Sequence, residues 1–67
     1  MTIYEKLEHY RHREGITNQQ MADKLGYSKE SSYRMAMTRN SRVDLNKLQQ
    51  MVHILNLSDE EILDLFK

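Results

Sequence analysis

The side chains with the most varied bonding chemistry lie in a segment that begins at Lys29. If this segment is a helix, with about 100° between successive residues, one side of it carries large side chains: Lys29, Glu30, Tyr33, Arg34 and Met37. An arginine can pair with guanine through two hydrogen bonds, a glutamate can accept from a cytosine amino group, and tyrosine and methionine offer apolar contact to a thymine methyl group. This side is therefore predicted to read base edges in a DNA major groove.

The same residues have a second interpretation, which is a solvated helix face with an ion pair between Glu30 and Arg34. We favour groove contact, because an exposed face seldom needs a tyrosine and a methionine beside its charges. The opposite side of the segment is small and is predicted to pack against the preceding helix; it carries Ser31, Ser32, Met35 and Ala36.

Start and stop signals along the chain predict five short helices. Capping boxes begin at Thr2, Thr17 and Ser58, each with Glu or Gln three residues later. Ser28 and Asp44 offer the two remaining N-caps, and Gly15, Gly26 and Asn56 are placed to end helices. Residues 38–43 lose the helical periodicity and are predicted to form the longest loop, in which Asn40 can tolerate a positive φ.

Apolar residues recur at helical spacing in these segments, and no segment alternates with a period of two. The predicted inward positions include Leu7 and Tyr10 in the first helix, Met21, Ala22 and Leu25 in the second, and Leu45, Leu48, Met51, Val52 and Leu55 in the fourth. The sequence therefore predicts an all-α fold, with residues 1–67 forming a single domain.

The composition excludes several classes of protein. The chain has 67 residues and no cysteine, so disulfides, thiolate metal sites and cysteine nucleophiles are absent. No apolar stretch approaches the ~20 residues of a membrane span and no secretory signal is present, so we expect a soluble, cytoplasmic protein. Glu5, His9 and His12 share a helix face but lack a fourth ligand. We expect no metal, no cofactor and no enzymatic activity, because no catalytic motif occurs either.

Charge is distributed unevenly along the chain. Ten Lys and Arg balance ten Asp and Glu, so the formal net charge is zero. Residues 29–42 carry four basic residues against one acidic residue, a net +3, and residues 58–67 carry four acidic residues against one basic residue, a net −3. Arg39 and Arg42, which lie in the positive segment, are therefore predicted to contribute to binding DNA phosphates.

A three-residue turn that contains Gly26 separates the second and third predicted helices. This is the arrangement of a helix-turn-helix unit. Ala22 is small where the two helices must touch, and Tyr27 is the apolar residue of the turn. On spacing alone, a generic cluster of helices is an equally good interpretation.

From about Leu7 to Leu63 the chain resembles the DNA-binding domain of the Cro and lambda-repressor type, also called the XRE family. The resemblance is carried by Leu7, Arg11, Gly15, the run from Thr17 to Ser28, Arg34-Met35, Leu48, Met51 and the run from Leu55 to Ser58. It implies a compact five-helix domain and a sequence-specific transcriptional regulator, often a repressor and commonly a dimer, that binds a double-stranded DNA operator. It also implies a phosphate contact for Asn18, and positions at or near base edges for Ser28, Lys29, Glu30, Tyr33 and Arg34.

The chain departs from the family pattern at several positions. Ser32 stands where Ile or Val is usual, Thr38 stands where glycine is usual, and the loop proline is absent. Asn18 stands where glutamine is commoner. Ala36 replaces a glutamate, which is expected to leave Arg11 without its acidic partner across the core.

Two further surfaces suggest partners other than DNA. Glu30 and the acidic last helix favour an alternative function, a helix-turn-helix module of antirepressor or antitoxin type that binds a protein. The last helix is also predicted to form a homodimer interface, because its apolar residues cover an arc of about 160°, wider than docking requires; they are Ile62, Leu63, Leu65 and Phe66. The alternative is that Phe66 folds back onto the first helix.

Overall fold

The computed structural model describes residues 2–38 and 44–67, and within these ranges it contains helices and no strand. The helices are α1 (Ile3–Arg13), α2 (Asn18–Leu25), α3 (Glu30–Thr38), α4 (Leu45–Ile54) and α5 (Asp59–Asp64). The predicted all-α fold is confirmed, and α3 begins and ends one residue later than expected. Every helix in the described ranges is too short or too polar to cross a membrane. The predicted loop residues 39–43 lie outside the described residues.

Side-chain hydrogen bonds define where the helices begin. The Thr2 hydroxyl accepts from the backbone N–H of Glu5, and the Glu5 carboxylate accepts from the backbone N–H of Thr2. This reciprocal pair is the predicted capping box, and it provides partners for N–H groups that a helix start leaves unbonded. The same two reciprocal hydrogen bonds join Thr17 with Gln20 and Ser58 with Glu61. Asp44 caps α4 by accepting from two backbone N–H groups of the first turn.

Three helices end in the same local structure. After α2, the N–H of Gly26 donates to the Asp23 carbonyl at 3.2 Å and the N–H of Tyr27 donates to the Ala22 carbonyl at 2.9 Å. This pair of bonds is the Schellman motif, in which the first of the two donor residues has a left-handed backbone conformation. Gly26 has this conformation with φ +84°, and Gly15 after α1 (φ +70°) and Asn56 after α4 (φ +53°) do the same.

The core lies where α2 packs against α3 and α4 while α3 also contacts α1. Its largest fully buried side chain is Tyr33. The other buried apolar residues are Leu7, Met21, Ala22, Leu25, Leu48, Met51, Leu55 and Leu65. Burial of such side chains contributes roughly 1.5–3 kcal/mol each before the cost of ordering the chain.

The predicted apolar stripe of α4 is only partly buried. Leu48, Met51 and Leu55 belong to the core, whereas Leu45 is 73% exposed. Leu45 continues the stripe at the first position of the helix, which lies beyond the reach of the core cluster. The prediction that Leu45 faces inward is therefore wrong.

Polar contacts hold α5 on α1. The Lys6 ammonium donates to the carbonyl oxygens of Asp64 (2.5 Å) and Lys67 (3.1 Å), at the carboxyl end of α5. A cation at this end of a helix provides partners for carbonyl groups that have none within the helix. Arg13 forms an ion pair with Glu61. The acidic last helix therefore has part of its charge neutralised by α1.

Two leucines of α4 provide a test of this packing. We expect Leu48→Ala to lower the free energy of unfolding by about 2–4 kcal/mol, because it leaves a cavity in the core. Leu45→Ala, the matched control on the same helix, is expected to change it by less than about 0.5 kcal/mol. Urea denaturation followed by circular dichroism measures both. Equal losses for the two variants would contradict the exposure of Leu45.

Candidate nucleic-acid interface

The helix-turn-helix unit consists of α2, the residues 26–29 and α3. Within it, α2 packs directly against α3. The connection is four residues long, because α3 begins at Glu30. This is one residue more than the sequence predicted.

Packing against the core decides which residues of α3 are accessible. One side of the helix is exposed and forms what we call the outer face, which consists of Ser31, Arg34, Met35 and Thr38. The same four residues line a shallow depression of about 240 Å³. Ser28 and Lys29, just before the helix, are also exposed. The outer face therefore combines a guanidinium, two hydroxyl groups and one apolar side chain.

Two predicted base-reading residues lie elsewhere. Tyr33 is 0% exposed and belongs to the core, so the prediction that it contacts bases is wrong in this structure. Met37 is partly buried against the core, whereas Met35, which was expected to face inward, is 52% exposed. The physical reason is that the tyrosine ring buries far more apolar area than the serines of the expected inner side.

A polar network joins Tyr33 to α1. The Tyr33 hydroxyl donates to Glu8 Oε1 at 2.9 Å, and Arg11 Nε donates to Glu8 Oε2 at 2.6 Å. Arg11 is buried and also donates from Nη1 to the Ile16 carbonyl at 2.5 Å. Burial raises the pKa of the Tyr33 hydroxyl well above its usual range, and the negative charge of Glu8 and the hydrogen bond to it raise that pKa further.

This network gives Arg11 an acidic partner from a different place than the one that the family pattern uses across the core. Ala36 indeed supplies no carboxylate from α3, but Glu8 supplies one from the same helix as Arg11, at the i, i+3 spacing. A buried guanidinium needs such a partner, because an unpaired buried charge costs several kcal/mol.

A lysine of α4 contacts the turn before α3. Lys47 Nζ donates to the Leu25 carbonyl at 2.5 Å and lies 4.7 Å from the centre of the Tyr27 ring. The Tyr27 and Tyr33 rings meet edge to face with their centres 6.1 Å apart. Tyr27, in the turn before α3, is therefore contacted from α4, and Tyr33, within α3, is contacted from α1.

A groove of about 430 Å³ runs beside α3. Asn18, the first residue of α2, and Arg34 both line it, so the structure brings these two predicted DNA-contacting residues to one side of the molecule. The guanidinium of Arg34 lies 3.8 Å from the half-buried Glu30, and its side chain is 66% exposed. Arg34 therefore remains accessible to a ligand while one carboxylate restrains it.

Some predicted site residues cannot be placed on this surface. Arg39 and Arg42 lie outside the described residues. Of the proposed dimer residues, Leu65 is part of the core, so its assignment to an interface is wrong. Leu63 and Phe66 are each 65% exposed, which argues against a folded-back Phe66, and Ile62 is partly buried. In residues 2–38 and 44–67, no group of three or more acidic, His or Cys side chains is arranged to hold a metal ion.

Comparison with known proteins identifies the class of this domain. The helix-turn-helix domain family matches residues 5–65, so the chain belongs to that family. No curated protein and no solved structure matches the chain. Helix-turn-helix domains are DNA-binding modules that place their second helix in the major groove, and they are typically not enzymes.

Sequence reasoning missed three residues of the outer face: Ser31, Met35 and Thr38. The signal that could have identified them was Tyr33, since placing this ring inward rotates the helix and exposes the other three positions. The family pattern contained the same signal, because Ser32 stands where a large apolar residue is usual and Tyr33 is the next large residue.

Alkaline titration tests the burial of Tyr33. A raised pKa in the folded state means that its stabilisation is complete below the ordinary value of 10.0 and is lost as the pH rises above it, because the unfolded chain ionises first. The difference in unfolding free energy between the native protein and Tyr33→Phe should therefore be constant from pH 7 to about 9.5 and fall at higher pH. Urea denaturation across this range measures it. A difference that stays constant to pH 11 would contradict the burial.

Proposed function

We propose that this chain is a sequence-specific DNA-binding transcriptional regulator of the Cro and lambda-repressor type, with residues 1–67 acting as one domain. The observation that carries the proposal is the outer face of α3, which presents a guanidinium, two hydroxyl groups and a thioether on the second helix of a helix-turn-helix unit. The regulator occupies an operator and thereby blocks or recruits polymerase, without catalysis or a cofactor.

Each group on the outer face suits a part of the major groove. Arg34 can pair with the O6 and N7 atoms of guanine, and Met35 offers apolar contact to a thymine methyl group. The hydroxyl of Ser31 can donate to or accept from either kind of base pair, whereas the hydroxyl of Thr38 donates to the Arg34 carbonyl at 3.0 Å and can therefore only accept. These residues replace Tyr33 and Met37 as the proposed readers of bases.

Phosphate contacts would fix the position of α3 in the groove. Asn18, at the start of α2, lines a groove together with Arg34. Ser28 and Lys29 are exposed just before α3. Such contacts carry affinity and register but little sequence information. Arg39 and Arg42 remain proposed phosphate contacts on the basis of the positive charge of residues 29–42.

Substitutions at Arg34 and Lys29 separate base reading from phosphate binding. Using a duplex selected from random sequences, we expect Arg34→Ala to weaken binding to that duplex by about 1–3 kcal/mol and to relax the preference at one base pair. Lys29→Ala should weaken binding to all duplexes alike and reduce the slope of log affinity against log salt by about one. Fluorescence anisotropy titrations measure both. If selection enriches no sequence at low salt, the proposed function is wrong.

A protein-binding module remains a second candidate function. The specific observation in its favour is the pair of exposed apolar side chains on and after α5, Leu63 and Phe66, next to acidic residues. Under this alternative, a single protein partner co-purifies with the chain and its binding survives Arg34→Ala.

The same pair supports the proposal of a homodimer on DNA. Two copies that meet through Leu63 and Phe66 would bind a palindromic site, since two-fold symmetry in the protein matches two-fold symmetry in the duplex. Because Leu65 is buried within one chain, the proposed interface now consists of Leu63, Phe66 and the edge of Ile62.

Light scattering after size exclusion tests the dimer. With the palindromic duplex in excess, we expect two chains per bound duplex for the native protein and one chain for the double variant Leu63→Ser and Phe66→Ser, because the substitutions remove the apolar contact. Leu45→Ser, which alters an equally exposed leucine on α4, is the control and should keep two chains. A native protein that binds the palindrome as a single chain rules out the dimer.

A further inference from the structure

Tyr33 contacts two parts of the molecule from one position on α3. Its hydroxyl donates to Glu8 on α1, and its ring packs edge to face on Tyr27 in the turn. It is also fully buried, and it is next in sequence to Arg34 on the outer face. Tyr33 therefore links the outer face to two elements that do not themselves belong to it.

The acceptor of the Tyr33 hydrogen bond is itself held in place. Both Glu8 oxygens are occupied, one by Tyr33 and the other by Arg11 Nε. Arg11 is buried and bonds the Ile16 carbonyl in the segment between α1 and α2. The Glu8 carboxylate therefore has a defined position relative to both α1 and the start of α2.

A directional contact at this position restrains the rotation of α3 about its own axis. The hydrophobic effect is non-directional, whereas a hydrogen bond prefers a nearly linear angle and weakens steeply below about 120°. Because Tyr33 and the outer face belong to one rigid helix, any rotation that breaks the bond to Glu8 turns Arg34 and Met35 by the same angle. Base-edge contacts depend on such angles, since they require two aligned hydrogen bonds.

We infer that Tyr33 and Glu8 are positioning residues for DNA sequence recognition: their hydrogen bond sets the rotation of α3 and so the aim of its outer face, although neither residue touches DNA. This inference rests on the proposed function. It assigns to Tyr33 a role in specificity that differs from direct base contact.

Three variants test the inference. Tyr33→Phe removes the hydroxyl and keeps the ring, and Glu8→Ala removes the acceptor of the same hydrogen bond. Tyr10→Phe is the matched control, because the Tyr10 hydroxyl also donates to a carboxylate, that of Asp64 at 3.3 Å, between α1 and α5. The readouts are the ratio of affinity for a selected duplex to affinity for a random duplex, and the orientation of α3 relative to α1 from residual dipolar couplings of the free protein.

We expect Tyr33→Phe to lower the affinity ratio about tenfold, in keeping with a misaligned base contact, and to change the orientation of α3. Glu8→Ala should change both readouts in the same direction, whereas Tyr10→Phe should keep both close to native, even where urea denaturation shows a loss of stability. A Tyr33→Phe variant with the ratio and the orientation of the Tyr10→Phe control would overturn the inference.

The failure of the proposed function gives a different result. If the native protein prefers no duplex over another, the affinity ratio is one for every variant and the DNA-binding proposal fails. The dipolar couplings then decide the inference on their own. An altered α3 orientation in Tyr33→Phe and not in Tyr10→Phe supports Tyr33 and Glu8 as the residues that position α3, and an unchanged orientation overturns that role.

Discussion

The carboxylate of Glu8 is the group on which the arrangement of the first three helices depends. It accepts from the buried Arg11 guanidinium and from the buried Tyr33 hydroxyl, so two groups that would be costly without partners share one acceptor. Arg11 in turn bonds the Ile16 carbonyl. Two neighbouring side chains of α1 thereby fix two other parts of the molecule, since Glu8 holds the inner side of α3 and Arg11 holds the segment between α1 and α2.

Short helices can be arranged in this way only if their ends are well defined. Helices of 6–11 residues are marginal when isolated, so packing and end contacts must stabilise them. The chain uses reciprocal capping boxes before three helices and left-handed Schellman ends after three. With its ends specified locally, each helix can be positioned by few long-range contacts, of which Lys47 on the Leu25 carbonyl is one example.

Contacts with α1 reduce the exposed negative charge of α5. Its acidic residues are not all free, because Glu61 pairs with Arg13 and Asp64 accepts from Tyr10. The negative end of the chain is thus partly neutralised by α1, whereas Lys29 and Arg34 remain exposed at α3. A net charge of zero is therefore compatible with a surface that attracts phosphate, since the field near a surface depends on local charge.

The sequence alone determined the features that depend on neighbours in the chain: five helices in the described residues, the capping boxes, the left-handed ends at Gly15, Gly26 and Asn56, and the helix-turn-helix order. Only the tertiary structure decided which side of α3 faces outward, because that side lies opposite Tyr33, the residue that packs into the core formed with the other helices. The hydroxyl of Tyr33 bonds Glu8, 25 residues earlier in the chain, and local patterns contain no information about such a contact. The exposure of Leu45 and the burial of Leu65 have the same cause, since an apolar stripe is buried only where another element covers it.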